Sequence, residues 1–283
     1  MRAVPIIAVY ALQEALRRRI FHVVLLLTAL YLVLYWLGAN SAFDEVARNE
    51  NGLPVDEHEL TGGTLFGLSM FGTLFLGAVL AAFLTLGVVR GDAERGLLQP
   101  LVVRPVGRAA LLAGRFGAAA LVCAVYVVIV YTASMLITHW VTGWWPDQIF
   151  FPAVELAAAI AVIVALSLFG SIVLSAIANG IAIFMVFGAG LVAGLLGQIG
   201  EALNSDSLNT IANVASWVLP FEALYQDALN RITADTAGFT KVALSLGPFG
   251  GAQPAGAWLY PYVVGYFAVL AVIGLWAFNR KDL

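Results

Sequence analysis

Residues 90–115, RGDAERGLLQPLVVRPVGRAALLAGR, form a charged passage between two long apolar runs, 63–89 and 116–137. The passage holds Arg90, Arg95, Arg104, Arg108 and Arg115, five of the chain's 14 basic residues. Its middle predicts a short amphipathic helix. Leu97, Leu98, Leu101 and Val102 make a stripe at helical spacing, with Glu94, Arg95 and Gln99 around the rest of the turn. Arg104-Pro105 ends that helix, because the residue before a proline is pushed out of the α region. The result is a small polar helix held between two membrane spans.

Working outward, the composition agrees. The chain is 61% hydrophobic and 11% charged, whereas a soluble domain is about 25% charged, so it reads as an all-α integral membrane protein of one domain, 1–283. Six apolar runs are present, 20–37, 63–89, 116–137, 152–177, 180–197 and 259–278. Each is near the ~20 residues that cross a ~30 Å hydrocarbon core. Only Ala178-Asn179 separates the fourth from the fifth, which predicts a tight antiparallel hairpin with its turn there. The second run is long enough to tilt or to begin with a non-spanning turn. Residues 1–19 are too charged to span: Ile6, Ile7, Tyr10 and Leu16 alternate with Gln13, Glu14, Arg17, Arg18 and Arg19. They read as a helix lying in the inner interface. A cleaved signal peptide fits less well, since the arginines come late and no small-residue cleavage site follows the apolar run.

Charge sets the orientation. With the N-terminus inside, eleven basic residues fall on the cytoplasmic face and only Arg48, Arg231 and Lys241 on the other. The positive-inside rule then puts both termini in the cytoplasm of a cell carrying the protein in its inner or plasma membrane. Trp36, Trp140, Trp144, Trp145 and Trp258 gather at the outer ends of spans, and Trp276 at an inner end, as interfacial belts do.

GDAERG, then LLQPLVVRPVGR and LLAGRF, resembles the intracellular loop of type-2 ABC export permeases, where an acidic residue precedes Gly-Thr-Leu, a leucine pair, Pro-Val-Ser-Arg and Gly-Lys. Leu97 stands in place of the Thr, Gly107 of the Ser and Arg115 of the Lys. LRRRIF near the start, six spans and the closing FNRKDL extend the likeness over most of the chain. The resemblance implies an elbow helix over 1–19, a coupling helix in the loop 90–108 and a helical outer cap over 198–258. It also implies a second permease copy, giving a homodimer, and two copies of a separate ABC ATPase that hold the ATP and Mg; this chain itself needs no cofactor.

In that scheme Glu94 and Arg95 contact the ATPase, Leu97, Leu98 and Leu101 fill its cleft, and Asp92 and Arg104 belong to the same coupling set. The fifth span of the family lies near the dimer axis. Gly190 and Gly194 form a GxxxG pair there, which lets backbones approach closely in lipid, and they become the expected dimer contact. Phe184, Met185 and Phe187 on that span, with Phe66, Met70, Thr73 and Phe75 on the second, are the expected lining of the pathway. The outer cap shows helical periodicity over 206–217 and 221–232, broken at Pro220.

Other features take plainer readings. The outer loop 38–62 gathers Asp44, Glu45, Glu50, Asp56, Glu57 and Glu59 around His58 without ligand spacing, and reads as a solvated acidic loop with no metal. Glu155, three residues after Pro152, is placed in the first turn of span four, against the positive end of the helix dipole. Cys123 is alone, so neither a disulfide framework nor a cysteine metal cluster is available. Lys241 and Lys281 neither follow Gly nor precede Ser or Thr, and HExxH and GxSxG are absent. The chain therefore has no phosphate loop, is not expected to be an enzyme, and nothing points to nucleic acid. Two alternatives stand beside an exporter of hydrophobic or amphipathic cargo. One is a non-transporting scaffold or mechanotransmitter of the same fold. The other is an intramembrane lipid-modifying enzyme using serines and threonines such as Ser134, Thr138, Ser167, Ser171 and Ser175.

Overall fold

The computed structural model describes residues 9–10, 12–13, 17, 19–48, 57–86, 107–233 and 253–280. The regular elements are α1 (Arg19–Arg48), α2 (Glu57–Thr85), α3 (Arg108–Thr142), α4 (Phe150–Val173), α5 (Ala176–Ala202), α6 (Asp206–Val218), α7 (Pro220–Ile232) and α8 (Leu259–Asn279), with no strand among the described residues. Six of them, α1 to α5 and α8, are long and apolar enough to cross a membrane.

Side-chain contacts fix how the spans run. Gly62, near the start of α2, lies under Trp144 and Thr142 at the end of α3, so these two are antiparallel. α1 runs parallel to α3, with Thr28 bonded to the Tyr126 hydroxyl and Tyr35 to Thr138, both at 2.5 Å. α8 is parallel to α4: Tyr260 meets Glu155 near the start of both helices, and Gly274 meets Ile172 near the end of both. One end of the bundle therefore carries Arg19, Arg108 and Arg280 (the basic end), and the other carries α6, α7 and the approach to α8 (the cap end).

The core lies between α2, α3 and α4, where Met70, Leu74, Leu80, Val127, Tyr131, Leu156 and Ile160 are buried together. α1 and α8 flank it with largely exposed apolar sides, including Leu26, Leu34, Val264 and Val272, as lipid-facing helices do. Several hydroxyls inside are satisfied locally. Thr73 donates to Ser69 O at 2.8 Å, Thr138 to Ser134 O at 2.9 Å and Ser171 to Leu168 O at 2.7 Å, while Thr85 joins α2 to α4 through Ser167 at 2.5 Å. These hydroxyls serve helix packing.

The turn between α4 and α5 falls at Leu174-Ser175, not at Ala178-Asn179. Leu174 is extended (φ -95°, ψ 155°), and Ser175 Oγ accepts the Ala178 amide at 3.5 Å, capping the next helix. Asn179 is inside α5 and buried, with Nδ2 donating to Ser167 O at 2.9 Å across the hairpin. Asn179 is thus a cross-hairpin tie, which is why it is tolerated in an apolar helix.

Beyond α5 the chain folds back. Gly197 and Gly200 of α5 meet Ala212 and Asn209 of α6, so α6 returns antiparallel along α5. Pro220, at the start of α7, takes the position where its missing N–H costs no helical bond. α7 then climbs along α4 to the cap end, where the Asp147 amide donates to Ile232 O at 3.2 Å. The α6–α7 turn reaches Gly190, ten residues below Gly200. At 1.5 Å per residue that is about 15 Å, half of the ~30 Å hydrocarbon thickness. The two helices expected from periodicity are present and form a re-entrant hairpin.

Candidate functional site

α2 and α5 each present two apolar faces. On α2, one stripe carries Phe66, Met70 and Thr73, all fully buried. Phe66 packs on Tyr131 of α3, with ring centroids 5.2 Å apart, and on Trp144 at 6.0 Å. Three of the four α2 residues expected on the pathway thus lie in the core of the single chain. The opposite stripe, Thr64, Leu68 and Phe75, is exposed, and Phe75 rather than Phe66 or Met70 reaches the open side.

On α5, Phe187 is buried and stacks on Phe221 of α7 (5.8 Å between centroids, 14° between planes). It also leans on Phe75 at 6.0 Å. These three rings join α2, α5 and the hairpin tip. Phe184 and Met185 turn the other way and are 37% and 71% exposed. Together with Leu86, Ile177 and Ile181 they line an open concavity of 520 Å3 toward the basic end. The structure therefore brings Phe184 and Met185 together on a concave face and leaves Phe66, Met70, Thr73 and Phe187 behind it.

Gly190 and Gly194 are occupied within the chain. A side chain at Gly190 would run into the Phe221 ring, and one at Gly194 into the Glu222 carboxylate. The close approach that GxxxG permits is used to seat the hairpin tip.

A second polar centre sits at the cap end. Arg231 Nε lies 2.8 Å from Glu155 Oε1 and 3.0 Å from Asp227 Oδ2, its other nitrogens donate to Gln148 at 3.3 Å and to Tyr260 at 2.9 Å, and its guanidinium covers the Phe151 ring at 5.4 Å. Tyr260 also donates to Glu155 at 2.6 Å, and the Ala255 amide to Asp227 Oδ1 at 3.0 Å. Four segments are stapled in this way. α4 begins at Phe150, so Glu155 is in its second turn and its charge is met by Arg231 in place of a helix end. Besides Glu155, an acid inside an apolar run, the i, i+4 pair Asp227/Arg231 was the visible signal of this centre in the sequence.

Asp92, Glu94, Arg95, Leu97, Leu98, Leu101 and Arg104 lie outside the described residues, as does most of the expected elbow helix. Of the acidic loop, Asp44 and Glu45 end α1 as exposed residues, and 49–56 are likewise outside.

Over residues 6–283 the chain matches the family described as ABC-2 family transporter protein. The chain belongs to the ABC-2 transporter family. No curated protein matches it. The ABC-2 match takes in every described helix and the loop 90–108 between α2 and α3. This ABC-2 protein is accordingly a multi-pass membrane subunit of an ABC transporter.

Proposed function

We propose that this chain is the permease subunit of an ATP-driven exporter, acting as two copies with two separate ATPase subunits that hold Mg-ATP. The observation that carries the proposal is the pair of unpartnered apolar faces on α2 and α5, joined by the Phe75–Phe187 contact and hollowed beside Phe184 and Met185. A second copy facing the same surfaces would enclose a path lined by Phe75, Phe184 and Met185, suited to hydrophobic or amphipathic cargo. Gly190 and Gly194 would shape that interface from behind, by holding the hairpin tip close to α5.

The basic end faces the cytoplasm of the cell carrying the protein in its plasma membrane, by the excess of arginine there. The loop 90–108 docks in the ATPase, and because it continues into α2 and α3, closure of the ATPases tilts these spans and moves the α2 face. Glu94 and Arg95 supply the polar contacts, with Asp92 and Arg104 beside them, and Leu97, Leu98 and Leu101 the apolar ones.

The test is a pull-down of the detergent-solubilised chain with its ATPase, comparing wild type with a Glu94→Ala, Leu98→Asp double variant and then measuring ATP hydrolysis. Wild type is expected to retain the ATPase and the variant to lose it while still inserting in the membrane. Equal binding by both would overturn the docking scheme. A complex that hydrolyses ATP without moving any amphipathic probe would favour a mechanotransmitter.

A further inference from the structure

α7 is pinned at one end and enclosed without polar saturation at the other. At the cap end Asp227 and Arg231 are tied to Glu155, Tyr260, Gln148 and the Ala255 amide. At the tip, Glu222 is 1% exposed in the niche left by Gly194 of α5. Its Oε1 accepts from Gln226 Nε2 at 3.2 Å, and its Oε2, equally buried, has no partner. Phe221 beside it is wedged on Gly190 and stacked on Phe187. α6, the other arm of the hairpin, contributes no buried side chain, so the buried contacts that hold the tip are those of α7.

Few groups can compensate a charge there. On its own helix Tyr225 senses Glu222, and Tyr31 of α1 acts on Tyr225. Asp227 and Arg231 are five and nine residues further along α7, about 7 and 13 Å by helical rise, and are engaged with Glu155 of α4 and Tyr260 of α8. Glu57 and Glu59 of α2, and Glu201 of α5, lie at the cap end, and Asp206 at the far end of α6. From α8, Tyr262 and Tyr266 donate to the carbonyls of Trp217 and Val218, exposed hydrogen bonds that the tip gives up when it leaves the niche.

We propose that Glu222 is a proton-operated latch: protonated, it keeps the hairpin tip in the Gly190–Gly194 niche of α5, and on losing the proton it drives the tip out toward water, loosening the cap beside the α2–α5 face. An ionised carboxylate in the niche would have one dehydrated, unpaired oxygen, which a buried site disfavours strongly. Burial accordingly pushes the Glu222 carboxyl up to about 8, with the Gln226 bond opposing. Because the docked form binds the proton more tightly than the exposed one, docking is fully stabilised below the ordinary carboxylate range. That stabilisation is lost as pH rises toward 8, and docking stays weakest above it.

The latch is independent of cargo and of the ATPase. It is tested on the chain in nanodiscs, with buried Cys123 replaced by Ala and Val218→Cys placed on the exposed side of the tip. The rate of modification by a membrane-impermeant maleimide is compared with that of Glu222→Gln at each pH, which cancels the reagent's own pH dependence. The ratio of the two rates is expected to be near one at pH 5 and at least about tenfold by pH 9, one pKa unit being tenfold in the equilibrium. Gly194→Ala, which displaces the carboxylate from its niche, should label fast already at pH 5. A ratio that stays flat across pH, or a Gly194→Ala variant that labels as slowly as wild type at pH 5, would overturn the latch.

Discussion

Asn179 holds the α4–α5 turn from inside the bundle. Its Nδ2 donates to the carbonyl and the hydroxyl of Ser167, and its Oδ1 rests on Gly170, where any side chain would collide with it. Replacing it by leucine keeps the bulk and removes the donor, losing one buried hydrogen bond at a cost of about 0.5–1.5 kcal/mol. Asn179→Leu should therefore lower the thermal unfolding midpoint of the detergent-solubilised chain while leaving membrane insertion intact. An unchanged midpoint would mean that the tie contributes nothing. The residue was visible in the sequence, but in the wrong role. An Asn between apolar runs reads as a turn, and only the Ser175 cap and the Gly170 contact decide that the chain reverses four residues earlier.

Among the elements, α7 matters most to the cap, and Arg231 to α7. Glu155 is buried against it and Asp227 shares the same guanidinium, so truncating Arg231 strands two carboxylates in apolar surroundings. Breaking a buried pair from one side costs about 3–5 kcal/mol. Arg231→Ala should loosen α7 from α4 and α8, seen as faster hydrogen exchange across 220–232. Glu155→Gln, which removes one of the two negative charges Arg231 meets, should loosen it less. Equal, wild-type exchange in both would remove the staple from the account. The hairpin was half legible. The periodicity of 206–217 and 221–232 and the break at Pro220 gave its helices, whereas depth depends on Phe221 and Glu222 finding Gly190 and Gly194, a tertiary contact that local pattern does not encode. The same limit explains Phe66, Met70 and Thr73: α2 is apolar on both faces, so periodicity had no means of telling the core side from the open side.

At the scale of the whole molecule, hydropathy and charge were enough for the six spans, because a bilayer imposes length and apolarity on each helix separately. What they could not give is which surfaces remain open once one chain is packed. Those surfaces are the α2 stripe with Phe75 and the α5 stripe with Ile181, Phe184 and Met185. The central claim is that they face a second copy around a path moved by nucleotide. The most direct measurement is disulfide cross-linking of Met185→Cys in membranes containing the ATPase, with buried Cys123 replaced by Ala, before and after trapping with ATP and vanadate. The account predicts a covalent dimer whose yield changes on trapping. A Met185→Cys chain that stays monomeric in both states, with a thiol shown to be reactive, would contradict it.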